Sequence, residues 1–172
     1  MTLSFKTQID GYPTYFIEKI WTAFNLGEGG YQIDFAERQY WLKKCTYSFN
    51  LDTTLLVKVG IKIHTIRSDK KNRWRVGMPI HFVVKNRRPQ RFQFAPIIPC
   101  RSLQTFEIEW YKGYPIVVID GIHFYNPIVG IDNGMKSLAK NDGFDSLEEF
   151  FKYFNSDFKG KIIHWTDCIY SS

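Results

Sequence analysis

The stretch Ser102-Leu103-Gln104-Thr105-Phe106-Glu107-Ile108-Glu109-Trp110, followed by Lys112-Gly113 and then Pro115-Ile116-Val117-Val118-Ile119-Asp120, reads as strand, turn, strand. β-Branched and aromatic residues fill both runs, and the Lys-Gly pair supplies the turn between them. Working outward, the same signals recur at Lys62 to Arg67, Pro79 to Lys85 and Arg91 to Phe94, with Gly77 and Asn86-Arg87-Arg88-Pro89 as punctuation. Pro96 and Pro99 disfavour a central strand between them and Ser102. A series of short strands with such turns predicts a barrel or a strongly bent sheet.

Helical signals lie at the two ends. Pro13 suits the first turn of a helix, and Phe16, Ile17, Ile20, Trp21 and Phe24 follow at amphipathic spacing, so a helix should end near Gly27. Residues 31–57 read as a strand or short helix plus loop. Late in the chain Asp145 or Ser146 can cap a helix whose first turn holds Glu148 and Glu149 and whose one face holds Leu147, Phe150, Phe151 and Phe154. A last strand is expected from Lys161 to Ile169. No repeat or linker divides the chain, which predicts one domain over residues 1–172.

With 44% hydrophobic and 17% aromatic residues, the 172-residue chain has the makings of a sizeable core. Its three cysteines, Cys45, Cys100 and Cys168, are widely spaced with no C-x-x-C pair, which points to reduced thiols and a cytoplasmic address. Neither a leader pattern nor a membrane-length apolar run is present, so no membrane partner is expected. The net charge of +6 is unevenly placed: between Lys58 and Arg91 eleven basic residues face Asp69 alone, +10 locally, leaving −4 for the remainder. A basic segment of this kind suits phosphate-bearing partners, though a solvated face has the same composition.

Gly27-Glu28-Gly29-Gly30 lacks the Lys-Ser/Thr ending of a phosphate-cradling loop and reads as a turn. His64, His81, His123 and His164 share no metal-ligand spacing, so neither a metal nor a cofactor is expected. Cys100 and Cys168 have no activating neighbour in sequence. Trp74, among basic residues, can stack on a base or join the core.

Three stretches together carry a family resemblance: Lys62-Ile63-His64-Thr65-Ile66-Arg67; Asn72-Arg73-Trp74-Arg75-Val76-Gly77-Met78-Pro79-Ile80-His81-Phe82; and Leu138-Ala139-Lys140-Asn141-Asp142-Gly143-Phe144-Asp145, with the helix after it and Gly160-Lys161-Ile162-Ile163-His164-Trp165. The first resembles the Lys-x-x-Thr-x-Arg signature of the ASCH family, a branch of the PUA-like superfamily, and the others are similar in order to its basic-Gly-strand element and its acidic-Gly-Phe turn, helix and closing strand. The resemblance implies an α+β fold, a PUA-like small mixed β-barrel with flanking α-helices. It also implies a basic cleft that binds RNA or a modified nucleoside, with Lys62, Arg67, Arg73, Trp74 and Arg75 as the nucleic-acid-binding residues.

The family's amidohydrolase branch, acting on acylated cytidine, implies Thr65 as nucleophile, Lys62 as its desolvated base and Asp142 as the completing acid. The chain departs from that branch at Ile63 where the enzymes often carry Thr, at Asp142 where they carry Glu, and in an insertion at about residues 25–57. A carboxylate one methylene shorter reaches about 1 Å less far. On a regular strand Lys62 and Thr65 point to opposite faces, so they meet only where a bulge or strand end reorients one of them. A third reading makes the chain a protein-interaction module, with the insertion as its contact surface and no partner specified.

Overall fold

A computed structural model gives the fold and describes residues 1–30, 33–49 and 51–171. The first half of the chain runs β1 (Thr2–Phe5), β2 (Gln8–Ile9), β3 (Tyr12–Pro13), α1 (Phe16–Leu26), α2 (Phe35–Phe49), β4 (His64–Arg67), β5 (Pro79–Val84), β6 (Phe92–Gln93) and β7 (Ile98–Pro99). The second half runs β8 (Ser102–Tyr111), β9 (Tyr114–Ile119), β10 (Ile122–Asn126), β11 (Ile131–Asp132), α3 (Met135–Asn141), α4 (Leu147–Tyr153) and β12 (Phe158–His164). The class is α+β, as expected.

An antiparallel sheet has the order β11-β10-β9-β8-β12-β4; β1 pairs in parallel with β5, which also carries β6 and β7; β2 and β3 form a small ribbon. Among the described residues these ladders do not close into a barrel, because β4 pairs only with β12 and β1 only with β5. Where a closing ladder would run, Arg67 Nη2 instead donates to the Ser4 carbonyl at 3.0 Å. The free side of β4 is occupied by the end of α3, whose Asn141 carbonyl accepts from Ile63 N at 2.9 Å.

β12 divides the core. Ile163 and the following Trp165 join one buried cluster with Phe5, Trp21, Phe82 and Phe94, while Ile162 joins another with Ile66, Phe106, Phe150 and Phe154. This is the period-two alternation of a strand buried on both faces. In the first cluster Phe82 and Trp165 meet edge to face, with centroids 5.1 Å apart, and Trp21 Nε1 donates to the Phe94 carbonyl at 3.1 Å, satisfying the one polar atom of the indole.

Several expected boundaries move. Pro13 lies in β3, not in the first turn of α1; the helix starts at Phe16, after Tyr15 takes a left-handed conformation. Gly27 closes α1 as expected, in the left-handed region with its N–H turned back on the helix. The segment read as strand or short helix contains a helix of 15 residues, α2; residues 31, 32 and 50 of that segment lie outside the described residues. Cys45 on α2 is buried, while Phe35, Tyr40 and Tyr47 on the same helix face solvent. The closing strand starts earlier and stops at His164, after which Thr166 Oγ1 donates to the Ile63 carbonyl at 3.3 Å in place of ladder bonding. At α4, Ser146 Oγ accepts from Glu149 N at 3.2 Å, as its cap position predicts.

Candidate active site

The signature strand begins two residues later than its sequence suggests. Lys62 N donates to the Lys19 carbonyl of α1 at 3.1 Å and Ile63 N to Asn141, so both precede the ladder that starts at His64. The strand end frees Lys62 from the pleat. Its side chain therefore enters the same small cavity as Thr65 and Arg67, which share a face of β4, and Asp142 closes that cavity from the end of α3. Where the strand starts is what lets Lys62 and Thr65 line one cavity although their spacing on a regular strand would set them on opposite faces.

Lys62 is 1% exposed and Asp142 4%. Lys62 Nζ lies 2.6 Å from Asp142 Oδ1 and also donates to the Asp142 main-chain carbonyl. The shorter acid thus reaches its lysine, because the turn after α3 runs along the free edge of β4. Phe16 covers the ammonium from the other side, its ring centre 4.7 Å from Nζ. Burial pushes Lys62 down to about 8 despite the attraction of Asp142, and burial likewise raises the Asp142 carboxyl although Lys62 opposes the shift. Both shifts favour the uncharged form of each partner.

Gly143 makes the close packing possible. It has φ +91°, and a Cβ placed there would lie 3.0 Å from the Phe16 ring and 3.1 Å from Lys62 Cδ. Lys19, buried on α1, holds the same turn by donating to the Gly143 carbonyl at 2.9 Å and to Asp145 Oδ1 at 2.6 Å. Thr65 is buried, lines the cavity and makes no side-chain hydrogen bond among the described residues. The cavity is small, about 20 Å³, and adjoins an open cleft of about 470 Å³, the two sharing Lys6, Ile9, Phe16, Phe144 and Tyr153 as walls.

Behind the carboxylate stands a buried polar cluster. His64 Nε2 is 2.7 Å from Tyr170 Oη, and Asn141 Nδ2 donates to that same hydroxyl at 2.9 Å. His164 faces His64 across the β4–β12 register, ring centres 5.3 Å apart. Burial holds His64 well below the ordinary imidazole range and His164 down to about 4, so both are neutral.

The structure thus brings Lys62, Thr65, Asp142 and Arg67 together, and it leaves the other basic candidates elsewhere. Arg73 and Arg75 are exposed and line neither cavity; Arg75 donates to the main-chain carbonyls of Asn72 and Trp74. Trp74 is 5% exposed in the core cluster with Phe5 and Trp165, which takes its ring faces out of reach of a stacking base. Asp69 accepts from Arg73 N and Trp74 N, shaping this turn internally. Among the described residues no group of three or more His, Cys, Asp or Glu is placed to hold a metal ion, and no helix is long and apolar enough to cross a membrane.

Sequence reasoning did not single out Lys19, Asn141 or Tyr170. Lys19 carried a signal, being a cation between Ile17 and Ile20 on a helix buried over most of its circumference; Tyr170 carried none. No family model matches the sequence, and neither a curated protein nor a solved structure does, so the resemblance to the ASCH family rests on the residues quoted for it.

Proposed function

We propose that the chain is an ASCH-type, PUA-like amidohydrolase that cleaves the acyl group from a small cytidine-type nucleoside held in the open cleft. The observation that carries this reading is the convergence of Lys62, Thr65 and Asp142 on one buried cavity at the wall of a cleft large enough for a nucleoside. A volume of about 20 Å³ takes one water-sized group, which suits the acyl carbonyl oxygen.

In this reading neutral Lys62 takes the Thr65 hydroxyl proton as Thr65 Oγ bonds to the acyl carbon. The C–N bond breaks, and the Lys62 ammonium returns the proton to the departing nitrogen. Water then hydrolyses the ester left on Thr65, restoring the hydroxyl. Asp142 holds Lys62 in place and balances its charge in the ammonium state. The cytoplasm is the setting that goes with this reading, and the described cysteines are free thiols.

The test is mass-spectrometric turnover of 4-acetylcytidine and a panel of other acylated nucleosides by the purified protein. Wild-type turnover should vanish in Thr65→Ala and in Lys62→Ala; unchanged turnover in Thr65→Ala sinks the mechanism.

A second reading, binding of RNA, is favoured by one observation: Lys62 and Arg67 aside, the basic residues between Lys58 and Arg91 are exposed. Such binding would weaken steeply with salt, and affinity for a single-stranded RNA that stays flat from low to high salt rules it out.

A further inference from the structure

His64 has no part in those steps, yet it is buried against the carboxylate they depend on. Asp142 Oδ1 sits 2.6 Å from Lys62 Nζ and 3.8 Å from His64 Nδ1, and Nδ1 has no hydrogen-bond partner among the described residues. We infer that Tyr170 fixes His64 as its Nδ1–H tautomer, making His64 a positioning residue that takes over the Asp142 carboxylate whenever Lys62 turns to Thr65. This deepens the hydrolase reading and rests on it.

The tautomer follows from both ends of the ring. A tyrosine hydroxyl has one hydrogen to give. That of Tyr170 already accepts from Asn141 Nδ2, and the acceptors near it are His64 Nε2 at 2.7 Å and the Cys168 sulfur, the weaker of the two. Donation to Nε2 leaves the imidazole proton on Nδ1, facing Asp142. The opposite tautomer would set a bare Nδ1 lone pair against a carboxylate in a desolvated site. Tyr170 is itself clamped: Gln104 Oε1 accepts from its N at 2.8 Å, and Gln104 Nε2 donates to its carbonyl at 2.7 Å. The groups facing His64 are Lys62 and Asp142 at the ends of β4 and α3, Asn141, His164 from β12 and Tyr170.

The exchange follows from what Lys62 must do. As a base it directs its nitrogen lone pair at the Thr65 hydroxyl and ceases to be the cation of Asp142. The Asp142 carboxylate then keeps the Ile66 N–H but loses its ammonium in a desolvated place, and the His64 N–H needs to close only about 1 Å to reach hydrogen-bond length. His64 stays neutral throughout and transfers no proton.

The test is ¹⁵N NMR of histidine-labelled wild-type protein. Multiple-bond spectra should show neutral His64 protonated on Nδ1; protonation on Nε2 overturns the inference. On titration from about pH 6 to about pH 10, spanning the loss of the Lys62 proton, the His64 Hδ1 resonance should move downfield with the Lys62 midpoint. A resonance that ignores the Lys62 titration overturns the exchange. In kinetics, Tyr170→Phe and His64→Gln should lower kcat about 10–100-fold with KM little changed. His64→Asn, whose amide nitrogen stands where Nδ1 stood, should recover most of that loss, and Asn no better than Gln counts against the inference. Absent wild-type turnover, the hydrolase reading falls alone, and the two NMR measurements, which need no substitution, still decide the tautomer and the exchange.

Discussion

Lys62 and Asp142 form a buried ion pair at the candidate site, and their burial makes the pair sensitive to the loss of either partner. Removing one partner leaves the other charged group in a desolvated place, a loss of about 3–5 kcal/mol, whereas replacing both by apolar residues removes the desolvation penalty along with the attraction. Lys62→Met and Asp142→Leu are therefore each expected to lower the urea midpoint strongly, and the double variant to recover most of the loss. Equal and additive losses would mean that the two side chains act independently. The same burial sets the pH dependence of the proposed chemistry. Burial pushes Lys62 down to about 8, and the base is the unprotonated amine, so kcat/KM should rise as pH increases through about 8 and level off above it. A profile flat across that window would show that no group titrating there serves as the base.

At the scale of elements, the turn between α3 and α4 places the acid, and Gly143 is its pivot. Gly143→Ala puts a Cβ at positive φ against Phe16 and Lys62, and it should cut turnover further than its loss of stability explains. The neighbouring Ser146→Ala removes the cap of α4 and should cost about 1 kcal/mol in stability with turnover retained, a control for general loosening of the turn. How much of this was legible in the sequence follows the range of the interactions. α4 was readable because its cap, its acidic first turn and its apolar spacing lie within a few residues of one another. The strand pair β8–β9 was readable from alternation and its Lys112-Gly113 turn. The start of β4 was not, because it is set by the Lys19 and Asn141 carbonyls from distant parts of the chain. The expected barrel left a trace in the strand series, but closure depends on which edges pair, and neither propensity nor period specifies that. Of the candidate site, Lys62, Thr65 and Asp142 were named through the family resemblance. Tyr170 reaches His64 only through the fold, and for Trp74 the sequence offered both base stacking and the core, of which the structure shows the core.

Across the whole molecule, β12 separates two aromatic clusters and places a histidine pair where it meets β4, so part of the protein's stability is tied to keeping imidazoles neutral. His164 has no partner for either ring nitrogen among the described residues, and burial lowers it to about 4; His64 is held well below its ordinary range by burial and by its neighbours His164 and Lys62. A histidine with a lowered folded pKa binds its proton more readily in the unfolded chain, so its stabilising contribution is present above about pH 6.5 and is lost as pH falls towards 4. Each such histidine makes the unfolding free energy fall by up to about 1.4 kcal/mol per pH unit within that window. Asp142 works in the opposite sense, because a raised carboxyl takes up its proton in the folded state first. The net slope therefore mixes terms of both signs, and comparison at matched pH isolates the histidine. His164→Leu keeps the volume roughly constant and removes two unpaired buried nitrogens, so it should match or exceed wild-type stability near pH 7. Its advantage should widen at pH 5, measured as the difference in thermal midpoint between variant and wild type at each pH. A difference that stays constant between the two pH values would place the acid sensitivity of the fold outside His164.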